Sequence, residues 1–467
     1  MIDGLDYRGR WWLPQFPEKK VSGTLGFTLE RGGTLDLDGS LGDKLLTGED
    51  TKEFDIILGI SSDNKDITLV NCLVMSHTEY RRLKMDQSTE RSSLYVSEVL
   101  VGVHFKKLSD IKFRRISVRY SYLDEWVGIS GFDVTYQDGG MTVRYDRKNP
   151  IESWVTNSCK LSIGFACEGP IFTPAQTEVS IKQRTYISIE YDQERPLGEY
   201  LDVLHRIQDF LTLAITEPVY ALELRGTTGG HKIELNKQIS IDKPVEIYYH
   251  HSFISSEKEG FLWFDMLFRF PDIADRFDTF LKNWLQNLEQ LKSAVDLYFG
   301  CLYNPRMYVD NEFLNTVQAL ESYHRLKIRN EDLPICDHTR RIEEIIKSAP
   351  AEHKSWLEGK LQYSNEPSLR RRLRELLDYY PEIVSQDVDD KKEIVDKAID
   401  TRNYLVHHDP SLKDRSADVD TLIALTRELQ VLFQACLLTV VGCGNDMIRG
   451  LFQKNRRYRK LVPIRLN

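Results

Sequence analysis

The chain reads as an α+β protein of two domains. A β-rich, sandwich- or barrel-like N-terminal domain with one inserted helix precedes an all-α helical bundle. Three observations predict this. Apolar and polar residues alternate with period two in many short runs between Gly23 and about Tyr191, the mark of half-buried strands. One stripe of helical spacing interrupts them between Pro196 and Pro218. After about Ser255 the alternation stops and the apolar pattern takes the helical period.

In order, Thr24–Glu30 and Thr34–Asp38 alternate on either side of Arg31-Gly32-Gly33, which predicts a hairpin. Further strands are predicted at Phe54–Ile60, Asp66–Val74, Tyr95–Phe105, Phe113–Tyr120, Met141–Tyr145, Lys160–Phe165 and Val179–Tyr191. Turn clusters such as Ser61-Ser62-Asp63-Asn64 and Gln137-Asp138-Gly139-Gly140 separate them, and so many short strands fit a sandwich or barrel. Tyr200, Leu201, Leu204, Ile207, Leu211 and Leu213-Ala214 carry the inserted helix. Strands resume at Val219–Leu224, His231–Leu235 and Val245–Tyr249. A boundary is expected in Ser255-Ser256-Glu257-Lys258-Glu259-Gly260, giving domains 1–255 and 260–467. Helices are expected at Phe261–Phe268, Ile273–Tyr298, Val309–Lys327, His338–Lys347, Ser368–Tyr379, Asp389–His407 and Ala417–Val441, enough for a bundle.

Composition excludes whole classes. Of 467 residues 41% are hydrophobic, and 71 acidic against 62 basic side chains leave a net charge of −9. This is not a collagenous, low-complexity or disordered chain, nor a general nucleic-acid coat, though a local basic surface can still hold phosphate. Met1–Trp12 has no apolar run of the kind a secretory signal needs. Val431–Cys443, the most apolar stretch, falls short of the roughly 18–20 residues of a membrane span and predicts a core helix. Seven cysteines without a CxxC pair predict reduced thiols in a cytoplasmic protein. The chain holds no Walker loop, HExxH, nucleophile elbow or calcium loop, so no metal or cofactor is expected. Leu35-Asp36-Leu37-Asp38-Gly39 lacks the closing Glu of a calcium loop and reads as a strand end. His250 and His251, consecutive on a strand, point to opposite faces and cannot share a metal.

The chemistry concentrates in Arg402-Asn403-Tyr404-Leu405-Val406-His407-His408-Asp409-Pro410. Asp387, Asp389 and Asp390 mark the start of its helix, where the dipole favours acid, and Asp409 before Pro410 marks its end. At about 100° per residue, Ile394, Val395, Ala398, Ile399, Leu405 and Val406 fall within an arc of roughly 140°. Arg402 lies near the middle of that arc, aimed at the core or at a partner subunit, and an inward arginine needs a carboxylate, carbonyl or phosphate acceptor. Asn403 and His407, four apart, share its flank. A core arginine–glutamate ion pair with a capping histidine would leave the same pattern, with Glu321 as one partner for Arg402. Arg225–His231 has a similar spacing but spans a glycine-rich turn. Two clusters carry positive charge: Arg370, Arg371, Arg372 and Arg374 on one helix, and a C-terminal run with Arg449, Lys454, Arg456, Arg457, Arg459, Lys460 and Arg465. Such runs track an RNA backbone without reading its sequence.

An all-α bundle with R-N-x3-H on a late helix resembles the HEPN superfamily. The whole chain resembles the ApeA-like anti-phage proteins, an ApeA N-terminal domain followed by an ApeA-like HEPN domain. In the first domain the likeness rests on Gly9-Arg10-Trp11-Trp12-Leu13-Pro14, Val21-Ser22-Gly23-Thr24-Leu25 and the Leu201–Leu213 helix. In the second it rests on 313–325, Ser368-Leu369-Arg370-Arg371-Arg372-Leu373 and the Arg402–His407 motif. The resemblance implies a cytoplasmic, metal-independent endoribonuclease acting in abortive infection, one that leaves 2′,3′-cyclic phosphate and 5′-OH ends. It implies Arg402 on phosphoryl oxygens, His407 as acid or base, Asn403 as positioning group and His408 as auxiliary. It further implies a homodimer or higher even oligomer with a composite cleft, RNA as substrate with tRNA a candidate, a phage-derived trigger, and a β-rich domain that senses or restrains. Two other readings stay open: a non-catalytic HEPN scaffold that binds RNA or a nucleotide, and a carbohydrate- or ligand-binding β module with a helical tail.

Overall fold

The computed structural model describes residues 4–29, 31–41, 53–81, 88–230, 232–236, 239–250, 261–381, 383, 388–456 and 458. The chain folds as two compact units. One comprises Met1–Thr212, Val219–Phe261 and Arg269–Ala274, the other Leu213–Pro218, Leu262–Phe268 and Asp275–Asn467.

The first unit begins with β1 (Leu5–Trp12), β2 (Val21–Thr28), β3 (Gly32–Leu37), β4 (Glu53–Ser61), β5 (Asp66–Arg81), β6 (Ser88–Val101) and β7 (Lys112–Tyr120). After α1 (Leu123–Val127) come β8 (Phe132–Gln137), β9 (Gly140–Tyr145), β10 (Ile151–Thr156), β11 (Cys159–Phe172) and β12 (Val179–Pro196). Helix α2 (Leu197–Ile215) leads into β13 (Ala221–Thr227), β14 (Lys232–Asn236), β15 (Ile239–Asp242), β16 (Val245–Tyr249) and the short α3 (Phe270–Ile273).

Strands β6, β3, β2, β1, β4 and β5 pair in an antiparallel ring, and β5 pairs back onto β6, closing a six-stranded barrel. Closure removes the exposed edges that an open sheet would present. The barrel is filled by the inward residues of each alternation, among them Trp11, Leu25, Leu35, Ile57, Leu69 and Val96. Trp11 donates its indole N–H to Gly23 O at 3.2 Å. Gly59 is required opposite it, since a Cβ there would stand 2.2 Å from the Trp11 ring. Strand β6 serves twice: Ser92–Val96 pairs with β3, and Glu98–Val101 pairs with β16. From β16 the sheet runs on through β13, β7, β12 and β11 to β10. Helix α2 seals this extension, with Tyr200 OH donating to Phe113 O and Tyr120 OH to Leu204 O, both at 2.8 Å.

The second unit holds α4 (Phe277–Tyr303), α5 (Val309–Lys327), α6 (Ile335–Ser348), α7 (Lys354–Leu361), α8 (Leu369–Tyr379), α9 (Val388–His407), α10 (Val419–Val441) and α11 (Asn445–Lys454). Helices α4, α5 and α10 pack together, α8 and α9 pack on each other and on α5, and α11 lies on α10. Helices α6 and α7 pack on each other and bury no residue fully.

Strands β1, β8, β10 and β15 and helices α1, α3, α7 and α11 go beyond the elements expected from periodicity. Phe261–Phe268 is not a helix: only a 3₁₀ turn forms, at Trp263–Asp265. Within the apolar run Gly442 caps the helix and Cys443 lies beyond it; Val431–Val441 is the end of a longer helix, α10, which by length and composition alone could cross a membrane. Its buried residues, from Leu422 to Val441, make it a core helix of the bundle. All seven cysteines are free thiols. The expected boundary at 255–260, and with it His251, lies outside the described residues.

Candidate active site at the end of helix α9

Helix α9 starts with Asp389 and Asp390 in its first turn and ends at His407. His408 turns the backbone left-handed, with φ 53°, and its N–H donates to Tyr404 O at 2.8 Å. Asp409 then accepts from Ser411 N–H and opens a 3₁₀ turn at Pro410–Leu412. The chain returns along α9 and is sewn to it. Buried Thr401 accepts from Ala417 N–H at 2.9 Å, Lys397 Nζ donates to Arg415 O at 3.1 Å, and Arg415 pairs with Asp400 at 3.2 Å. These contacts anchor one face of α9, at Lys397–Thr401, to the returning segment.

Val395 and Ala398 are buried, and Arg402 takes the i+7 place on the same stripe, where it is half-buried. Its Nη1 donates to Asn403 Oδ1 at 3.1 Å, and it pairs with no carboxylate among the described residues. Glu321 is therefore not its partner: that carboxylate lies 3.8 Å from Arg325, one turn along α5. His407 is exposed and makes no hydrogen bond among the described residues. His408 is also exposed, its ring edge-on to Tyr404 at 6.4 Å, and it leaves the helix by its left-handed backbone. The apolar arc is covered on its Val395–Ala398 side only. Ile399 and Leu405 are half-buried, and Val406 is 45% exposed.

The arginines of α8 behave differently from the expected RNA-binding cluster. Arg372 is fully buried and faces no solvent, which corrects its assignment as an RNA contact. It donates to Pro367 O at 3.0 Å, Arg329 O at 3.2 Å, Asn330 Oδ1 at 2.7 Å and His324 Nδ1 at 3.2 Å. Arg371 is drawn to Asp332 at 2.9 Å and Glu375 at 3.0 Å, and Arg370 pairs with Asp396 on α9. Arg374 is exposed and unpaired among the described residues. Arg456 is exposed, while Arg457, Arg459 and Lys460 lie outside the described residues.

The buried network around Arg372 escaped sequence reasoning. Because a guanidinium only donates, His324 Nδ1 must accept, so its proton sits on Nε2 and is given to Glu375 Oε2 at 2.8 Å. Burial holds the imidazole pKa below its usual 6.5. Hydrogen bonds from Arg329, His324 and Arg371 hold the Glu375 carboxyl down to about 2. Within α8 only the i, i+4 pair Arg371/Glu375 is local in sequence; the partners on α5 and in the loop after it lie far away in the chain.

In the first unit, a cleft of about 210 Å³ is lined by Arg119, Arg184, Arg225, Glu223, Glu246 and Tyr248. Its charges answer one another: Glu223 accepts from Arg184 at 3.0 Å and Tyr186 OH at 3.1 Å and pairs with Arg225 at 3.2 Å. Among the described residues no group of three or more His, Cys, Asp or Glu side chains is placed to hold a metal ion.

The chain thus joins a barrel-plus-sheet unit to a helical bundle whose α9 helix ends in Arg-Asn-x3-His. The family model for ApeA N-terminal domain 1 matches residues 6–284, more than half of the chain, and that for Apea-like HEPN matches 314–446. The chain belongs to the ApeA-like HEPN family. Comparison with curated proteins and with solved structures returns no significant match.

Proposed function

We propose that this protein is a metal-independent endoribonuclease of anti-phage defence, acting in the cytoplasm through Arg402 and His407. One observation carries the reading: a half-buried arginine with no carboxylate partner among the described residues, on the same helix end as an exposed histidine that makes no hydrogen bond to them. A partly desolvated cation of that kind favours an anion, and a phosphodiester supplies one.

In the reaction the RNA 2′-oxygen attacks the adjacent phosphorus and the 5′-oxygen leaves, giving a 2′,3′-cyclic phosphate and a 5′-OH. Arg402 donates to the non-bridging oxygens as charge develops on them. His407 removes the 2′-proton or protonates the leaving oxygen, work suited to an imidazole, which can give or take a proton. Asn403 accepts from Arg402 Nη1 and positions the guanidinium. One motif supplies too few groups for both proton transfers. The partly exposed arc of Ile399, Leu405 and Val406 supports a two-fold pairing of α9 helices that brings a second Arg402/His407 set to the same phosphate. In this reading the β-rich domain restrains the nuclease until a phage-derived signal arrives, and Arg374 and Arg456 help hold the RNA, with tRNA a candidate. The test is to incubate the purified protein with total RNA in EDTA and map the ends. Cyclic phosphate and 5′-OH ends support the mechanism, whereas cleavage only on adding magnesium or manganese contradicts it. A dimer that binds RNA without cutting it would favour the scaffold reading.

A further inference from the structure

The second unit contains a cavity of about 650 Å³ among α4, α5 and α10, within the range of small-molecule sites. Its walls are mainly apolar: Leu302 of α4, Val309 of α5, Ile423 and Val431 of α10, with Tyr458 beside them. Two polar groups lack partners among the described residues. Gln434 is only 8% exposed; its Nε2 donates to Tyr298 OH at 2.7 Å, but its Oε1 accepts nothing. A buried acceptor without a protein donor favours a bound group that supplies one. Turning the amide over would only move the vacancy to its other end, since Tyr298 OH can engage one atom of it. The second group is Arg427, exposed at the cavity and without an ion pair among the described residues.

Ile423, Arg427, Gln430 and Gln434 succeed one another at i, i+4, i+7 and i+11, so they form one face of α10. Arg427 and Gln434 stand about 10.5 Å apart along the axis. Between them Gln430 donates to Glu312 Oε1 at 2.7 Å, so the one carboxylate in the lining already has a partner.

We propose that this cavity binds a small organic anion with an apolar or aromatic body and an N–H or O–H donor at the end remote from its charge. The donor satisfies Gln434 Oε1, the body lies against Val309, Ile423 and Val431, and the anion meets Arg427. No lining residue is on α9, so the site is separate from Arg402 and His407 and does not depend on the nuclease reading. A phosphate ester and an aromatic carboxylate both have this chemistry.

Calorimetric titration of the full chain with uridine 5′-monophosphate and with N-acetyl-L-tryptophan tests the two sources. At least one should bind with a Kd below about 1 mM, and which one does identifies the source. Its uncharged counterpart, uridine or N-acetyl-L-tryptophanamide, should bind at least 10-fold more weakly. Arg427→Gln should weaken the anion at least 10-fold and leave the uncharged counterpart unchanged. That variant removes no hydrogen bond or ion pair among the described residues, and its fold is checked by circular dichroism. Ile423→Trp should fill the cavity and abolish binding. Failure of both anions to bind, or binding that survives both substitutions, would overturn the proposal.

Discussion

Replacing Arg372 with methionine keeps most of the side-chain volume and deletes every donor. Four acceptors then lose their partner at once: Pro367 O, Arg329 O, Asn330 Oδ1 and His324 Nδ1. The site is sealed, because Arg372 and His324 are both fully buried, so water does not readily replace the guanidinium. Each orphaned acceptor costs about 1–3 kcal/mol alone, but the four share one network and do not add. The loss expected on breaking such a buried charged group is about 3–5 kcal/mol. For a helical unit of this size each kcal/mol lowers the melting temperature by about 2–4 °C, so the helical transition should fall by roughly 10 °C. The assay is a thermal melt of the full chain followed at 222 nm, where the helices dominate. The two units need not melt together, so the variant is compared with the wild type on the helical transition alone. A drop of less than about 3 °C would refute the claim that Arg372 is a buried structural hub. It would also restore this arginine as a candidate RNA contact.

Acid should destabilise the same network in two stages, read as melting temperature against pH. Burial holds the His324 pKa below 6.5, so the unfolded chain binds more protons just beneath that value and stability declines as pH falls through it. The Glu375 carboxyl sits at about 2 instead of 4.5, so a second decline is expected from about pH 4.5 downward, and an Arg372→Met background should flatten the first stage. Gly59→Ala should cost about 3 kcal/mol in urea unfolding, because the new methyl group meets the sealed Trp11 ring at 2.2 Å; an unchanged midpoint would contradict the barrel packing. Val406→Asp should give a monomer by light scattering and abolish RNA cleavage without lowering the melting temperature, since Val406 is 45% exposed; a dimer that still cuts would place the interface elsewhere.

Much of the fold was legible because both domains obey their periods. Val309–Lys327 appears as the helix expected over those residues, and Ser368 caps α8 by accepting from Arg371 N–H, as its place before Leu369 suggests. Strand β1 does not stand out in the sequence, although Tyr7, Gly9 and Trp11 alternate with Asp6, Arg8 and Arg10, because only Trp11 and Trp12 at its end are strongly apolar and buried. Barrel closure itself was not legible, as it depends on β6 pairing with β3 on one side and with the distant β5 on the other. At the candidate site, the helix end and the partly inward Arg402 followed from local signals. What α8 does could not be read locally: four arginines in five residues suggest a charged surface, but one is the centre of the core network and another ties α8 to Asp396 of α9. Charge runs name residue types and not their partners, and the partners decide.

The most direct test of the central claim compares wild type, His407→Ala and Arg402→Lys on the same RNA in EDTA, with the fold of each checked by circular dichroism. Neither substitution removes a core contact, so all three should melt alike. The wild type should cleave, and both variants should lose cleavage by at least about 100-fold, the lysine because an ammonium lacks the planar bidentate grip of the guanidinium. Undiminished cleavage by His407→Ala would contradict the assignment of this helix end as the catalytic site.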